Sequence, residues 1–165
     1  MALNSRLRTL NVLVENNPGV LNRVSGMIRR RGFNISELAV GPSETPGLSR
    51  MSLTVDAGHA EVDQVRKQLG KLIEVIEISD LTDDAIVVRE LVMARVTVPD
   101  EGREAVLAEL AAHGARVAES GPDEVIVELA VTPDRLPGFI EAARKHGLKE
   151  LARSGPVTMR RTATQ

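Results

Sequence analysis

The chain has 165 residues, a length that suits one domain or two of about 80 residues each. Hydrophobic residues make up 42% and charged residues 27%, a balance that argues against disorder. With no Cys there is no thiol nucleophile, disulfide framework or Cys-ligated metal; two Phe with no Tyr or Trp leave no stacking platform for single-stranded nucleic acid; and a formal charge of −2 exerts no general pull on phosphate backbones or anionic membranes.

Leu10, Val12 and Val14 alternate with Asn11, Leu13 and Glu15 and predict a first strand, partly buried on both faces. Asn16-Asn17-Pro18-Gly19 is a turn. A helix is expected to start there, with Asn17 as N-cap, Pro18 at the first helical position, and Val20, Leu21, Val24, Met27 and Ile28 on its apolar face. Arg29, Arg30 and Arg31 suit its C-terminal dipole, and Gly32 supplies a left-handed cap. An extended segment follows over residues 34–40, then a loop over 41–47. Met51, Leu53 and Val55 alternate with Ser52 and Thr54 as a strand with one wet face. Val62, Val65, Leu69, Leu72 and Ile73 predict a second helix, and Val75, Ile76 and Ile78 a closing strand.

The polar stretch over residues 79–84 marks a boundary, after which the same order returns. A strand around Leu91–Val98 precedes a helix carrying Ala105, Val106, Leu107, Leu110 and Ala111. A short strand spans Ala115–Ala118 and another Val125–Val131. A last helix carries Leu136, Phe139, Ile140 and Ala143, and Leu148–Arg153 with Val157-Thr158-Met159 close the sheet. The predicted fold is α+β: two tandem ferredoxin-like βαββαβ domains over residues 6–80 and 85–161, each a four-stranded antiparallel sheet with two helices on one face. Apolar surface from Leu13, Ile35, Ala39 and Met51 is expected on the uncovered face or the strand edges, and favours a dimer that buries it. No apolar run reaches the ~20 residues of a membrane span. Met1–Arg6 has no secretory apolar stretch, so a cytoplasmic location is expected.

No catalytic constellation is present. His113 and His146 precede glycines at predicted helix ends and read as caps; His59 lies in a turn; Asp83-Asp84 reads as a solvated linker pair. No nucleophile elbow, P-loop, dinucleotide fingerprint or metal spacing occurs. Ligand binding has better support. The turn leading into Gly19, Val20 and Leu21 offers main-chain N–H groups at a helix start, a carboxylate site worth about 0.3–2 kcal/mol. Asn34 adds a donor and an acceptor, so an amino acid's two charged ends both find partners. On the turn alone, the plainer reading is preferred, in which Asn17 caps only its own helix. As a solvated helix end the Arg29–Arg31 run needs no explanation; as a docking surface for an acidic protein it is unspecific, and it lacks the aromatic partners and basic background of a nucleic-acid patch.

Residues 10–21 (LNVLVENNPGVL), then Arg30-Arg31-Gly32-Phe33-Asn34-Ile35, resemble the opening of the ACT domain in the small, regulatory subunits of acetolactate synthase (acetohydroxyacid synthase). The resemblance continues through Ser49-Arg50-Met51, residues 67–72, Arg89-Glu90-Leu91 and Ala152-Arg153-Ser154-Gly155, and so spans both halves. It implies a non-catalytic partner of the large catalytic subunit, which uses thiamine diphosphate, Mg²⁺ and FAD; this chain itself is expected to carry no cofactor and no metal. It also implies a homodimer through ACT domains with a branched-chain amino acid, most often valine, at their interface. Asn16, Asn17, Pro18, Gly19, Val20 and Leu21 would hold the carboxylate, and Asn34 and Ile35 of the facing protomer the polar end and side chain. Asn22, where the family usually has Ser or Ala, and the ending Val157–Arg161 depart from the pattern. The alternatives are a stand-alone ACT-type sensor acting on another enzyme, a small ferredoxin-like enzyme using His59 or a carboxylate, and an RNA-recognition domain, which ranks last for want of aromatics.

Overall fold

A computed structural model describes residues 7–162, with the side chains of His59 and Ala60 left out. Residues 1–6, on which the reading of the N-terminus as free of a secretory signal rests, and the first residue of the expected domain 6–80 lie outside the described residues. The element order is β1 (Leu7–Glu15), α1 (Val20–Arg30), β2 (Asn34–Pro42), β3 (Leu48–Asp56), α2 (His59–Leu69) and β4 (Val75–Asp80), then β5 (Ile86–Thr97), α3 (Arg103–Ala112), β6 (Arg116–Ser120), β7 (Glu124–Val131), α4 (Leu136–Lys145) and β8 (Leu148–Arg160). The two four-stranded sheets run β2-β3-β1-β4 and β6-β7-β5-β8, the same ferredoxin-like order twice. No helix among the described residues is long and apolar enough to cross a membrane.

Among the described residues two compact units form, 7–87 with 157–162, and Val88–Pro156. In the first, Leu10, Val12 and Val14 of β1 stand in register with Leu53, Met51 and Ser49 of β3, and the aliphatic residues among them face Val24, Ile28, Val65 and Leu69 of the helices in one core. Met51 therefore belongs to the helix-side core and not to the uncovered face, because it pairs with Val12. That second face is also drier than alternation implies. Ser52 and Thr54 are buried, and Ser52 Oγ donates to Asn11 Oδ1 (2.8 Å) while Asn11 Nδ2 donates to the Thr158 carbonyl (2.8 Å). The end of β8 thus belongs with the first unit and dries part of its open sheet face.

Helix α2 stops at Leu69, one turn earlier than the apolar spacing predicts. Gly70 caps it, residues 71–74 form turns, and Ile73 is 88% exposed instead of lying on the helix's apolar face. The strands run further than expected: β2 takes in Gly41 and Pro42, and β4 takes in Ser79 and Asp80. In the second unit the aliphatic residues of β5 and β7 pack on Leu110, Leu136 and Phe139, the last fully buried. Glu90 is buried in the same unit, with Arg153 Nε and Nη2 donating to its two oxygens at 2.7 and 2.8 Å. A forked, charge-assisted pair of this kind is what a buried carboxylate requires.

Candidate functional site

The turn after β1 is tied down on both sides. Glu15 N–H donates to the Glu74 carbonyl (2.9 Å) and Asn16 N–H to the Gly47 carbonyl (2.8 Å). The chain then passes exposed Asn16, Asn17 and Pro18 and reverses at Gly19, which has φ 84°. This left-handed conformation strains any residue with a Cβ, so glycine is the residue that fits. Gly19, not Asn17, is the N-cap of α1. Asn17 Nδ2 instead donates to Glu15 Oε2 (2.8 Å), and no side chain caps the helix. The expected capping by Asn17 fails because the left-handed step at Gly19 moves the helix start two residues on, out of the Asn17 side chain's reach.

Of the three N–H groups expected to be available, Val20 N–H is taken by the Asn17 carbonyl (3.3 Å). Among the described residues, Gly19 and Leu21 N–H have no main-chain acceptor. Val20 is buried in the core, whereas Leu21, expected on the apolar face, is exposed. At the far end of α1, Gly32 (φ 77°) closes the helix: its N–H donates to the Arg29 carbonyl (2.9 Å) and Phe33 N–H to the Ile28 carbonyl (3.4 Å). That reversal launches β2, whose first residue, Asn34, is exposed, while Ile35 is partly buried against the core.

Asn34, Ile35, Phe33, Ser25, Arg29 and Asn22 line a shallow cavity of about 280 Å³. It brings Asn34 and Ile35 together beside α1, but none of Asn16–Leu21 lines it. Within one chain the turn and the Asn34 cavity are therefore separate features.

Arg23, which sequence reasoning passed over, lies at the turn. A β-carbon placed on Gly19 would stand 3.2 Å from Arg23 Nη1. Arg23 Nη2 meets Glu74 Oε1 at 2.8 Å. The usable signal was its spacing: helix side chains lean toward the N-terminus, so a residue four places after the helix-opening glycine reaches back over it.

The other titratable groups singled out in the sequence, His59 apart, have structural partners. His113 caps α3 and sets its ring edge-on to Phe139, with centroids 6.4 Å apart. His146 closes α4 and its Nε2 lies 2.7 Å from Glu109 Oε2. Hydrogen bonds from His146 and then Lys145 hold the Glu109 carboxyl below its ordinary range. The His59 side chain lies outside the described residues. Asp84 accepts from Arg160 Nε, and Asp83 stands 3.8 Å from Arg8. No cluster of three or more metal-binding side chains occurs among the described residues.

Comparison with known proteins covers both halves. Residues 10–77 match the family described as the AHAS small subunit-like ACT domain, and residues 89–162 the small subunit of acetolactate synthase. An Archaeoglobus fulgidus protein named "Probable acetolactate synthase small subunit" is 46% identical over 151 residues, 92% of this chain and 94% of that one. The acetolactate synthase small subunit of Mycolicibacterium smegmatis is 38% identical over 153 residues, 93% of this chain and 90% of its own. The crystal structure of a Thermotoga maritima acetolactate synthase small subunit superposes with a TM-score of 0.89 at 31% identity, over 96% of this chain and 99% of that one.

Proposed function

Because this chain belongs to the family of acetolactate synthase small subunits, we propose that it activates the catalytic large subunit and subjects it to feedback inhibition by a branched-chain amino acid, valine foremost. Relatedness along both halves of the chain is the observation that carries the reading, since an isolated ACT domain would match only the first. On this reading thiamine diphosphate, Mg²⁺ and FAD reside in the catalytic partner. The chain works in the cytoplasm as a regulatory subunit, as a homodimer through its first domain, with no nucleic acid or membrane as partner.

The effector carboxylate sits at the α1 turn, on the N–H groups of Gly19 and Leu21, with Asn16, Asn17, Pro18 and Val20 shaping the loop. Asn34 and Ile35 reach it from the facing protomer. The separation of the turn from the Asn34 cavity in a single chain supports a site completed by two copies. Regulation then follows from differential affinity: the effector favours the dimer arrangement that joins the two half-sites, and the catalytic subunit's activity follows that population.

The test is reconstitution with the catalytic subunit from the same genome, assaying acetolactate formation with and without valine. Activation reversed by valine is expected. Activation that leucine, isoleucine and valine all leave untouched would remove the effector role. Absence of activation would point instead to a stand-alone sensor.

A further inference from the structure

Helix α1 has no acidic residue in its first turn, yet it carries Arg23 back over its positive end. A cation there opposes the helix dipole, which places roughly half a positive charge at the N-terminus. Glu74 offsets one charge. Its side chain is 14% exposed, its Oε1 lies 2.8 Å from Arg23 Nη2, and its main-chain carbonyl is fixed by Glu15 N–H. The Arg23 side chain, 44% exposed, reaches solvent at the turn. A guanidinium presents several donors in a rigid fork, so engaging Nη2 on Glu74 leaves the Nη1 edge directed at Gly19. Gly19 and Leu21 N–H, without a main-chain acceptor among the described residues, lie in the same turn. The Arg23 Nη1 edge therefore stands beside the position a Gly19 side chain would take, in the turn that holds these two amides.

We propose that Arg23 is a ligand-binding residue for the effector's carboxylate and that Glu74 is its positioning residue. The proposal rests on the effector reading above and goes beyond it by assigning the charge that distinguishes a carboxylate from a neutral amide. Calorimetry on the full chain, comparing valine with valinamide, tests it. Wild type is expected to prefer valine, and Arg23→Gln to lose about tenfold or more in valine affinity while valinamide binding stays as in wild type. Arg23→Lys, which keeps charge but not the fork, is expected between the two and shows that the loss does not come from misfolding. Glu74→Gln is expected to erode the preference without abolishing it. If wild type prefers valine and Arg23→Gln keeps that preference, Arg23 is not the recognition cation, and the effector reading survives. If wild type binds none of valine, leucine and isoleucine, the effector reading itself falls, and this assignment with it.

Discussion

At Gly19 a single hydrogen atom takes the place of a side chain: φ is 84°, and a β-carbon there would stand 3.2 Å from Arg23 Nη1. Gly19→Asp would place a carboxylate where the effector's is proposed to lie, pair it with Arg23, and strain the backbone. The ratio of acetolactate rates with and without valine is expected to approach one in this variant; a wild-type ratio would put the effector elsewhere. Asn34→Ala should weaken effector binding by about 1.5–3 kcal/mol, the range for a hydrogen bond to a charged group, as calorimetry would read. The turn and Asn34 were both legible as residue types suited to an amino acid. Arg23 was not, because its four-residue spacing has meaning only once Gly19, and not Asn17, is the residue that opens the helix.

At the scale of elements, alternation and helical spacing carried most of the topology, since the helices and the strands β1, β3, β5 and β7 each bury an aliphatic set. They misled where a second surface intervenes. Ser52 and Thr54 read as a wet face, yet both are buried, and Ser52 is tied through Asn11 to the Thr158 carbonyl, more than 100 residues away in sequence, which no pattern marks. The end of α2 was overrun because Leu72 and Ile73 keep helical spacing, although Gly70 has already stopped the helix.

The clasp between α3 and α4 yields a pH prediction. Glu109's carboxyl is held below its ordinary range by His146 and Lys145, so the stabilisation it contributes is complete above the unfolded value, about 4.3, and is lost as pH falls through the lowered folded value. Acid unfolding of wild type should therefore fall away more steeply below about pH 4 than that of Glu109→Gln, as followed by circular dichroism. Equal slopes would show the clasp to be energetically idle. In the same unit Phe139 is fully buried. Phe139→Ala should cost about 3–5 kcal/mol in denaturant unfolding, because the packed aliphatic neighbours can collapse only partly into the space.

For the whole molecule, two sheets of identical order supply a regulatory subunit with aliphatic cores and no need of catalytic groups of its own. In the first unit the hydrogen-bonded run Ser52–Asn11–Thr158 is a buried polar feature. Asn11→Ala should destabilise by about 1–3 kcal/mol for each buried group left unpaired, measurable as a lower urea midpoint. That run also bears on synthesis. A ribosome releases Asn11 near the beginning of its work and Thr158 near the end, so the first unit cannot finish closing while the second is still being made. A fragment cut in the polar stretch after β4 would leave that unit permanently at its nascent stage, with a buried amide waiting for a carbonyl that never emerges.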